Sequence, residues 1–131
     1  MTEAQLNSLS ERIIGCAFTV SNTLGAGFLE KVYENALAHE LRLCGIQVES
    51  QLPMRVEYKS VVVGDYFADL LVAGEVIVEI KATKNNHDVV TAQCLNYLRI
   101  SGKPLCLLIN FGQSRIEVRR YRADSFRSQP E

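Results

Sequence analysis

Hydrophobic residues recur every three or four positions near the start of the chain, which is the spacing of a helix with one buried side. This set comprises Leu6, Leu9, Ile13, Cys16 or Ala17, and Val20. Thr2 and Gln5 have the spacing of a capping box at the start of the same segment. We therefore predict a first helix over about 3–21, ended by the glycines at 25 and 27.

The pattern then continues through a second helix into a group of strands. The second helix is predicted over about 28–43, with Gly45 as its C-terminal stop. We expect its inward side to consist of Leu29, Val32, Ala36 and Leu41. Three β-rich segments follow, and they predict strands over about 46–58, 60–72 and 76–82.

The second half of the chain returns to a helix and then to strands. Asp88 is the predicted N-cap of a third helix that reaches about Ser101. Residues 105–109 are continuously apolar, as in a buried central strand. Because this run follows a strand and a helix, a right-handed crossover would place it parallel to the strand over 76–82. A last strand near 115–121 completes an α/β fold of order ααβββαββ.

Residues 73–75, Ala-Gly-Glu, separate two β-rich runs and predict a hairpin. If this hairpin is symmetric about Gly74, Asp69 falls opposite Glu79, and Lys81 shares their face because side chains alternate along a strand. The other face would then be wholly apolar. It would consist of Ala68, Leu70, Val72, Val76, Val78 and Ile80.

Two carboxylates held this close repel each other unless a cation lies between them or one takes up a proton. Mg²⁺ prefers such oxygen ligands, together with water and substrate phosphate. An adjacent Lys81 would suit a phosphate oxygen or a metal-bound water. The alternative is a surface salt bridge between Glu79 and Lys81, with Asp69 only an acid near a turn.

Length and composition limit the classes of protein to consider. With 131 residues, of which 47% are hydrophobic and 22% charged, the chain fits one globular domain. We assign that domain to 1–124 and a C-terminal tail to 125–131. No apolar run is long enough for a membrane span. The four cysteines are scattered without a CxxC motif, so we expect no zinc and favour buried free thiols in a cytoplasmic protein.

The charge distribution is less even than the net charge of −1 indicates. Basic residues are concentrated between 99 and 127, including Arg115, Arg119 and Arg120. Such a cluster could face the phosphates of a nucleic acid. The alternative is a solvated strand and tail.

Several motifs resemble those of one group of enzymes. Gly27-Phe28-Leu29-Glu30-Lys31-Val32-Tyr33 has the form G-x-x-E-x-x-Y, and the chain resembles the small bacterial and archaeal family named after that motif. Asp69 followed by Glu79-Ile80-Lys81 is similar to the core motif of the PD-(D/E)XK nuclease superfamily. Gly64 before Asp69, and Gln93 with Tyr97, resemble additions found in RecB-type nucleases. These motifs occur in the expected order over roughly 9–121.

The resemblance implies a restriction-endonuclease-like fold, a mixed sheet flanked by helices, with a Mg²⁺-dependent phosphodiesterase site in which Mn²⁺ may substitute. It implies that Asp69, Glu79 and the backbone carbonyl of Ile80 bind the metal, and that Lys81 aligns or deprotonates the attacking water. Glu30 matches the acid on the preceding helix, which would make it a further ligand. The residues that would bind substrate or brace the site are Gln93, Tyr97 and Tyr33, with the Tyr33 hydroxyl held by a site carboxylate.

The leading functional hypothesis is therefore a metal-dependent nuclease, with DNA as the favoured substrate and a homodimer as one arrangement that would span a duplex. A second hypothesis is a nucleic-acid-binding or protein-binding module that retains the fold but does little chemistry. A third, a structural subunit of a larger complex, would require a sizeable exposed apolar patch. DNA or RNA substrate, endo- or exonuclease action, and one or two metal ions all remain open at this point.

Overall fold

A computed structural model of the chain describes residues 1–84 and 88–123, and for residues 88–90 the backbone alone. Over these residues the order is ααβββαββ, as predicted. The elements are α1 Glu3–Leu24, α2 Glu30–Leu43, β1 Val48–Tyr58, β2 Val61–Val72, β3 Val76–Lys81, α3 Asp88–Ser101, β4 Leu105–Asn110 and β5 Glu117–Arg122. The side chain of Asp88, the predicted cap of α3, and the predicted tail over 125–131 lie outside the described residues.

The five strands form one mixed sheet in the order β1-β2-β3-β4-β5. Strands β3 and β4 are parallel, with Val78 paired to Leu107 and Ile80 paired to Ile109, and the other neighbours are antiparallel. Helix α3 connects the two parallel strands, so the predicted crossover is confirmed. In the described part of the chain, no helix combines the length and the apolar character needed to cross a membrane.

Two apolar clusters cover the two faces of the sheet. Helices α1 and α2 pack on one face, where their side chains meet residues such as Val78 and Ile109. Helix α3 covers the opposite face, where Leu98 packs with Leu71 and Ile77. The central strands β3 and β4 are therefore buried from both sides, as their continuous apolar sequence indicates.

The buried side of α1 agrees with the prediction, whereas the buried side of α2 differs from the predicted one. In α1 the predicted inward residues are buried and the capping box between Thr2 and Gln5 forms. In α2 the expected inward residues Leu29 and Val32 are 81% and 39% exposed. The buried side consists instead of Tyr33, Glu34, Leu37, Ala38 and Leu41. The prediction was therefore correct for Leu41 and for Ala36, which packs against the core, and wrong for Leu29 and Val32, because it did not consider a carboxylate on the buried side.

Strands β1 and β2 continue well past the rest of the sheet. Their pairing runs from Val48 and Val72 to Tyr58 and Val61, whereas β2 pairs with β3 only as far as Leu70. We call residues 52–68 the hairpin arm. Its exposed large apolar side chains are Tyr58, Val61, Val62, Val63, Tyr66 and Phe67.

Candidate functional site

The register predicted for the β2–β3 hairpin is confirmed, since Val72 pairs with Val76 and Leu70 pairs with Val78. Beyond the pair of Leu70 and Val78 the regular strand pairing ends, and the side-chain carboxylates of Asp69 and Glu79 bind the backbone instead. The backbone N–H of Asp69 donates to Glu79 Oε1 at 2.9 Å, and the N–H of Ile80 donates to Asp69 Oδ2 at 2.7 Å. Each acid therefore binds a backbone group of the opposite strand, which holds the two acids side by side.

The strands separate here because the backbone of β1 and β2 is irregular at this level. Gln51, the β1 residue that falls opposite Asp69, has a φ of 58°, a left-handed value that is unusual for a side chain with a Cβ. Ala68 and Leu71 both pack in the cluster beneath α3, although they are an odd number of positions apart. The predicted assignment of Ala68 to the other face was therefore wrong, because the alternation of side chains is interrupted around Asp69.

A third acid, Glu34 of α2, completes the group. It is only 4% exposed, and its carboxylate accepts from Lys31 Nζ at 2.8 Å and from Gln51 Nε2 at 3.1 Å. The negative charge of Glu34 raises the pKa of both Asp69 and Glu79, so the three carboxylates lie within electrostatic reach of one another. Glu34 was not among the residues predicted from the sequence. Its spacing from Leu37, Ala38 and Leu41, which places it on their side of the helix, could have revealed it.

Burial and neighbouring negative charge raise the pKa of Asp69 and of Glu79. Burial, followed by the charge of Asp69, raises the pKa of Glu79 to about 8. Burial also raises the pKa of Asp69 to about 6, despite the opposing effect of the hydrogen bond from Ile80. Full ionisation near neutral pH therefore requires a compensating cation.

Lys81 follows Glu79 on the same strand and supplies one positive charge, which lowers the pKa of Glu79. The segment after it is clamped to the end of β4. The carbonyl of Lys81 accepts from Phe111 N–H at 2.8 Å, and the side chain of Asn110 bonds both the N–H and the carbonyl of Thr83. A Cβ on Gly112 would lie 2.3 Å from the Thr83 nitrogen, so only glycine permits this close approach.

Helix α3 brings Gln93 and Tyr97 to the same site, as their spacing predicts. Gln93 Nε2 donates to the Tyr97 hydroxyl oxygen at 2.6 Å. Burial, followed by the charge of Glu79, raises the pKa of Tyr97 to about 12. The Tyr97 hydroxyl is thus a neutral proton donor close to the carboxylates.

A cavity of about 620 Å³ begins at Gln93 and Tyr97 and extends between α3 and the hairpin arm. Its other lining residues include Tyr66, Asn96 and Arg99. The rings of Tyr66 and Tyr97 lie 6.4 Å apart at an interplanar angle of 57°. The cavity is therefore lined by aromatic, amide and basic side chains, and Tyr97 connects it to the carboxylates.

Glu30 and Tyr33, the two named residues of the G-x-x-E-x-x-Y motif, occupy different positions relative to the carboxylate site. Glu30 is exposed at the start of α2, and its charge raises the pKa of Asp69 less than Glu34 does. Tyr33 is fully buried, but its hydroxyl donates to the Gly25 carbonyl at 2.5 Å and accepts from Phe28 N–H at 3.2 Å. The expected bond from Tyr33 to a site carboxylate was wrong, because the hydroxyl holds the loop between α1 and α2 instead.

Some basic side chains of β5 form contacts with another element of the same chain. Arg120 donates to the Asn7 side chain at 2.9 Å, and Arg122 forms an ion pair with Glu3. These contacts attach β5 to the first turns of α1. Arg120 and Arg122 therefore help to pack β5 against α1, whereas Arg115 and Arg119 are exposed, and a phosphate-facing patch there stays a prediction.

The donor set is suitable for a hard divalent cation. Asp69, Glu79 and Glu34 supply carboxylate oxygens, and each carboxylate has about four lone-pair positions, more than its hydrogen bonds described above occupy. In a strand, the N–H and C=O of one residue point towards the same neighbour, so the Ile80 carbonyl also faces the gap beside Asp69. Oxygen ligands of this kind fit Mg²⁺.

Comparison with models of known protein families identifies a family that matches the chain. A family model described as the PD-(D/E)XK nuclease superfamily matches residues 7–121, which is most of the chain. The matched region includes Asp69, Glu79 and Lys81. No curated protein and no solved structure matches the chain significantly.

Proposed function

The chain belongs to the PD-(D/E)XK nuclease superfamily, and on that premise we propose that it is a Mg²⁺-dependent nuclease whose substrate is DNA. Within the superfamily we place it in the G-x-x-E-x-x-Y branch because of the motif over 27–33. The observation that carries the proposal is the reciprocal pair of bonds by which Asp69 and Glu79 bind the backbone of each other's strand. Those bonds hold two acids and Lys81 around one opening in the sheet.

Asp69, Glu79 and the Ile80 carbonyl would hold the metal, which Mn²⁺ could replace. A divalent ion bound there lowers the pKa of water and neutralises charge on the phosphate oxygens. Glu34 is the third carboxylate, and its bonds to Lys31 and Gln51 fix its position. The more exposed Glu30 is proposed as an outer ligand or as a ligand of a second ion.

Lys81 and Tyr97 act on the substrate rather than on the metal in this proposal. Lys81 follows Glu79 on β3, and its ammonium would align the attacking water by donating a hydrogen bond to the water oxygen. Tyr97 accepts from Gln93 with its oxygen, so its own proton can be donated to a phosphate oxygen. Both groups favour the charge that builds up on the phosphate during hydrolysis.

The cavity beneath the hairpin arm is proposed as the place for the nucleotide next to the cleaved bond. Tyr66 is 47% exposed and offers a ring on which a base can stack, whereas Tyr97 is buried and forms part of the inner wall; Arg99 adds positive charge to the lining. Stacking tolerates different bases, so we expect weak sequence preference. The four free cysteines fit a reducing compartment, and we propose the cytoplasm as its location.

The test is calorimetric titration of the protein with Mg²⁺ together with cleavage assays on DNA and RNA. Asp69→Asn should abolish both metal binding and cleavage. Asp65→Asn is the matched control, because Asp65 is an exposed acid of the arm that pairs with Arg55. Absence of Mg²⁺ binding at millimolar concentration would overturn the nuclease assignment. Metal binding without cleavage of either nucleic acid would favour a binding module.

The exposed hairpin arm favours a second proposal, that two copies of the chain associate through it. Side-chain alternation places its exposed residues Val61, Val63 and Phe67 on one side of β2, and exposed apolar groups on one side of a sheet suit a protein–protein contact. A homodimer would also bring two sites to one duplex, although that argument is an analogy. Light scattering on wild type, on Val61→Lys with Val63→Lys, and on Leu43→Lys tests this. Of these three proteins, only the double variant of Val61 and Val63 should be monomeric. A monomeric wild type would overturn the proposal.

A further inference from the structure

A second group of metal-binding side chains lies at the junction of α1 and the end of α2. Cys16 Sγ of α1 and Cys44 Sγ at the C-cap of α2 are 3.8 Å apart, and Cys44 Sγ is 3.9 Å from Glu40 Oε2. One ligand atom from each of the three residues lies within 4.8 Å of the others. Cys16 is buried, whereas Cys44 is exposed and Glu40 partly so. The expectation that all four cysteines are buried was therefore wrong for Cys44.

The packing of the two helices creates this group. Glu40 and Cys44 are four residues apart and so project from one side of α2. Cys16 belongs to the buried stripe of α1 that faces α2. Cys16 and Cys44 are 28 residues apart in the chain, so no short cysteine motif marks them.

The distances agree with those that tetrahedral zinc imposes on its ligands. Two Zn–S bonds of about 2.3 Å at the tetrahedral angle place their sulfurs about 3.8 Å apart. One such bond and a Zn–O bond of about 2.1 Å place sulfur and oxygen about 3.6 Å apart. The observed separations of 3.8 and 3.9 Å match both edges with little movement of the side chains.

The surrounding charges also suit a dication. Two thiolates and the Glu40 carboxylate would carry three negative charges, and zinc supplies two positive ones. Arg12 supplies a third, since its guanidinium donates to the Cys44 carbonyl at 3.0 Å. Its charge also lowers the pKa of Cys16, although burial dominates and raises that pKa to about 11. Zinc binding must therefore displace protons from the thiols.

We propose that Cys16, Glu40 and Cys44 form a zinc site with a fourth position open to water. Because Cys44 and Glu40 reach the surface, the ion can enter from solvent without unfolding the helices. The bound ion would join α1 to the end of α2, the helix that carries Glu34. Thiolate ligands select zinc over Mg²⁺, so this site and the carboxylate site would take different metals.

The test is titration of the reduced, metal-free protein with Co²⁺, followed by displacement with Zn²⁺. Thiolate coordination produces sulfur-to-cobalt charge-transfer absorption, which carboxylates alone do not produce. We expect one equivalent of Co²⁺ to give this band and Zn²⁺ to remove it. Cys44→Ser should lower the affinity by about 100-fold or more, since loss of even an outer-shell partner costs roughly 10–100-fold. Glu40→Gln should weaken binding while keeping the band.

Two control variants separate this site from the rest of the molecule. Asp69→Asn should leave the band unchanged, which makes the result independent of the nuclease proposal. Cys94→Ala should also keep it, because Cys94 is buried beneath α3 away from this group. A fully reduced wild type without the band, or an undiminished band in Cys44→Ser, would overturn the zinc site. A Cys16–Cys44 disulfide in oxidised protein, combined with no Co²⁺ band after reduction, would assign the pair to redox chemistry instead.

Discussion

Gln51 donates to both carboxylate oxygens of Glu34, at 3.1 Å each, and so connects the first strand to helix α2. Gln51 reaches this position with a left-handed backbone, beside the gap that Asp69 and Glu79 fill. A bond between two side chains 17 residues apart thus fixes a buried acid against the candidate metal site.

Substitution of the helix acids should separate their roles. Glu34→Gln keeps the size and shape of the side chain but removes its charge and one of its two acceptor oxygens. We expect it to lower Mg²⁺ affinity by about tenfold or more. Glu30→Gln should have a smaller effect because Glu30 is exposed. Calorimetric titration of both variants with Mg²⁺ measures the two affinities. A larger loss of Mg²⁺ affinity in Glu30→Gln would identify Glu30 as the closer ligand.

The raised pKa of Glu79 predicts how stability depends on pH without metal. Its folded-state pKa is about 8, against about 4.3 in an unfolded chain. Between these values the folded protein retains a proton that the unfolded chain has released. The free energy of unfolding should therefore be highest below about pH 4 as far as this group is concerned, and should fall as the pH rises towards 8.

Glu79→Gln removes this titration and provides the check. At pH 8 and with a chelator present, we expect the variant to exceed wild type in free energy of unfolding by about 1–3 kcal/mol. At pH 5 the difference should be small. Urea denaturation at the two pH values measures it. Equal pH dependence in the two proteins would show that Glu79 titrates normally.

The clamp behind Lys81 should tolerate no side chain at Gly112. Gly112→Ala places a Cβ within 2.6 Å of backbone atoms of Ala82 and Thr83, so we expect a loss of about 1–3 kcal/mol or more in stability. Gly15→Ala is the control, since its Cβ meets nothing within 4 Å and alanine favours a helix by about 1 kcal/mol. Thermal unfolding should move in opposite directions for the two variants.

Tyr97→Phe tests whether the hydroxyl acts on substrate. The ring packing remains, so stability should change by no more than about 1.5 kcal/mol, the range for one hydrogen bond. We expect a fall in cleavage rate of roughly tenfold or more with unchanged Mg²⁺ affinity, because the hydroxyl donates to phosphate rather than to the metal. Equal losses of metal affinity and rate would instead make Tyr97 a support of the carboxylates.

Much of the fold could be predicted from local sequence. Helix α1, its capping box and the parallel placement of β4 follow from residue periodicity and from the handedness of strand–helix–strand connections. The hairpin register follows from the turn at Gly74, and that register predicts that Asp69 lies opposite Glu79. These features depend on residues that are close in the chain, or on chirality that every chain shares.

The errors all concern positions where distant segments meet. In α2 the prediction failed at Leu29 and Val32. Helical spacing places Glu34 on the buried side, but a carboxylate is stable there only with Lys31 and Gln51 as partners, and Gln51 comes from another element. Ala68 was assigned to the wrong face because the break in alternation near Asp69 depends on the backbone of another strand. Tyr33 bonds the Gly25 carbonyl because the loop before α2 folds back over it.

The sequence by itself thus determined the order of elements, the strand pairing around Gly74 and the membership of the nuclease superfamily, since periodicity, a short turn and the motif of two acids with a lysine are all local features. Only the tertiary structure decided which third acid joins the site and that Cys16 approaches Cys44. The physical reason is that a buried carboxylate or thiol pair is stabilised by partners from other elements, and these are assembled only when helices and sheet pack.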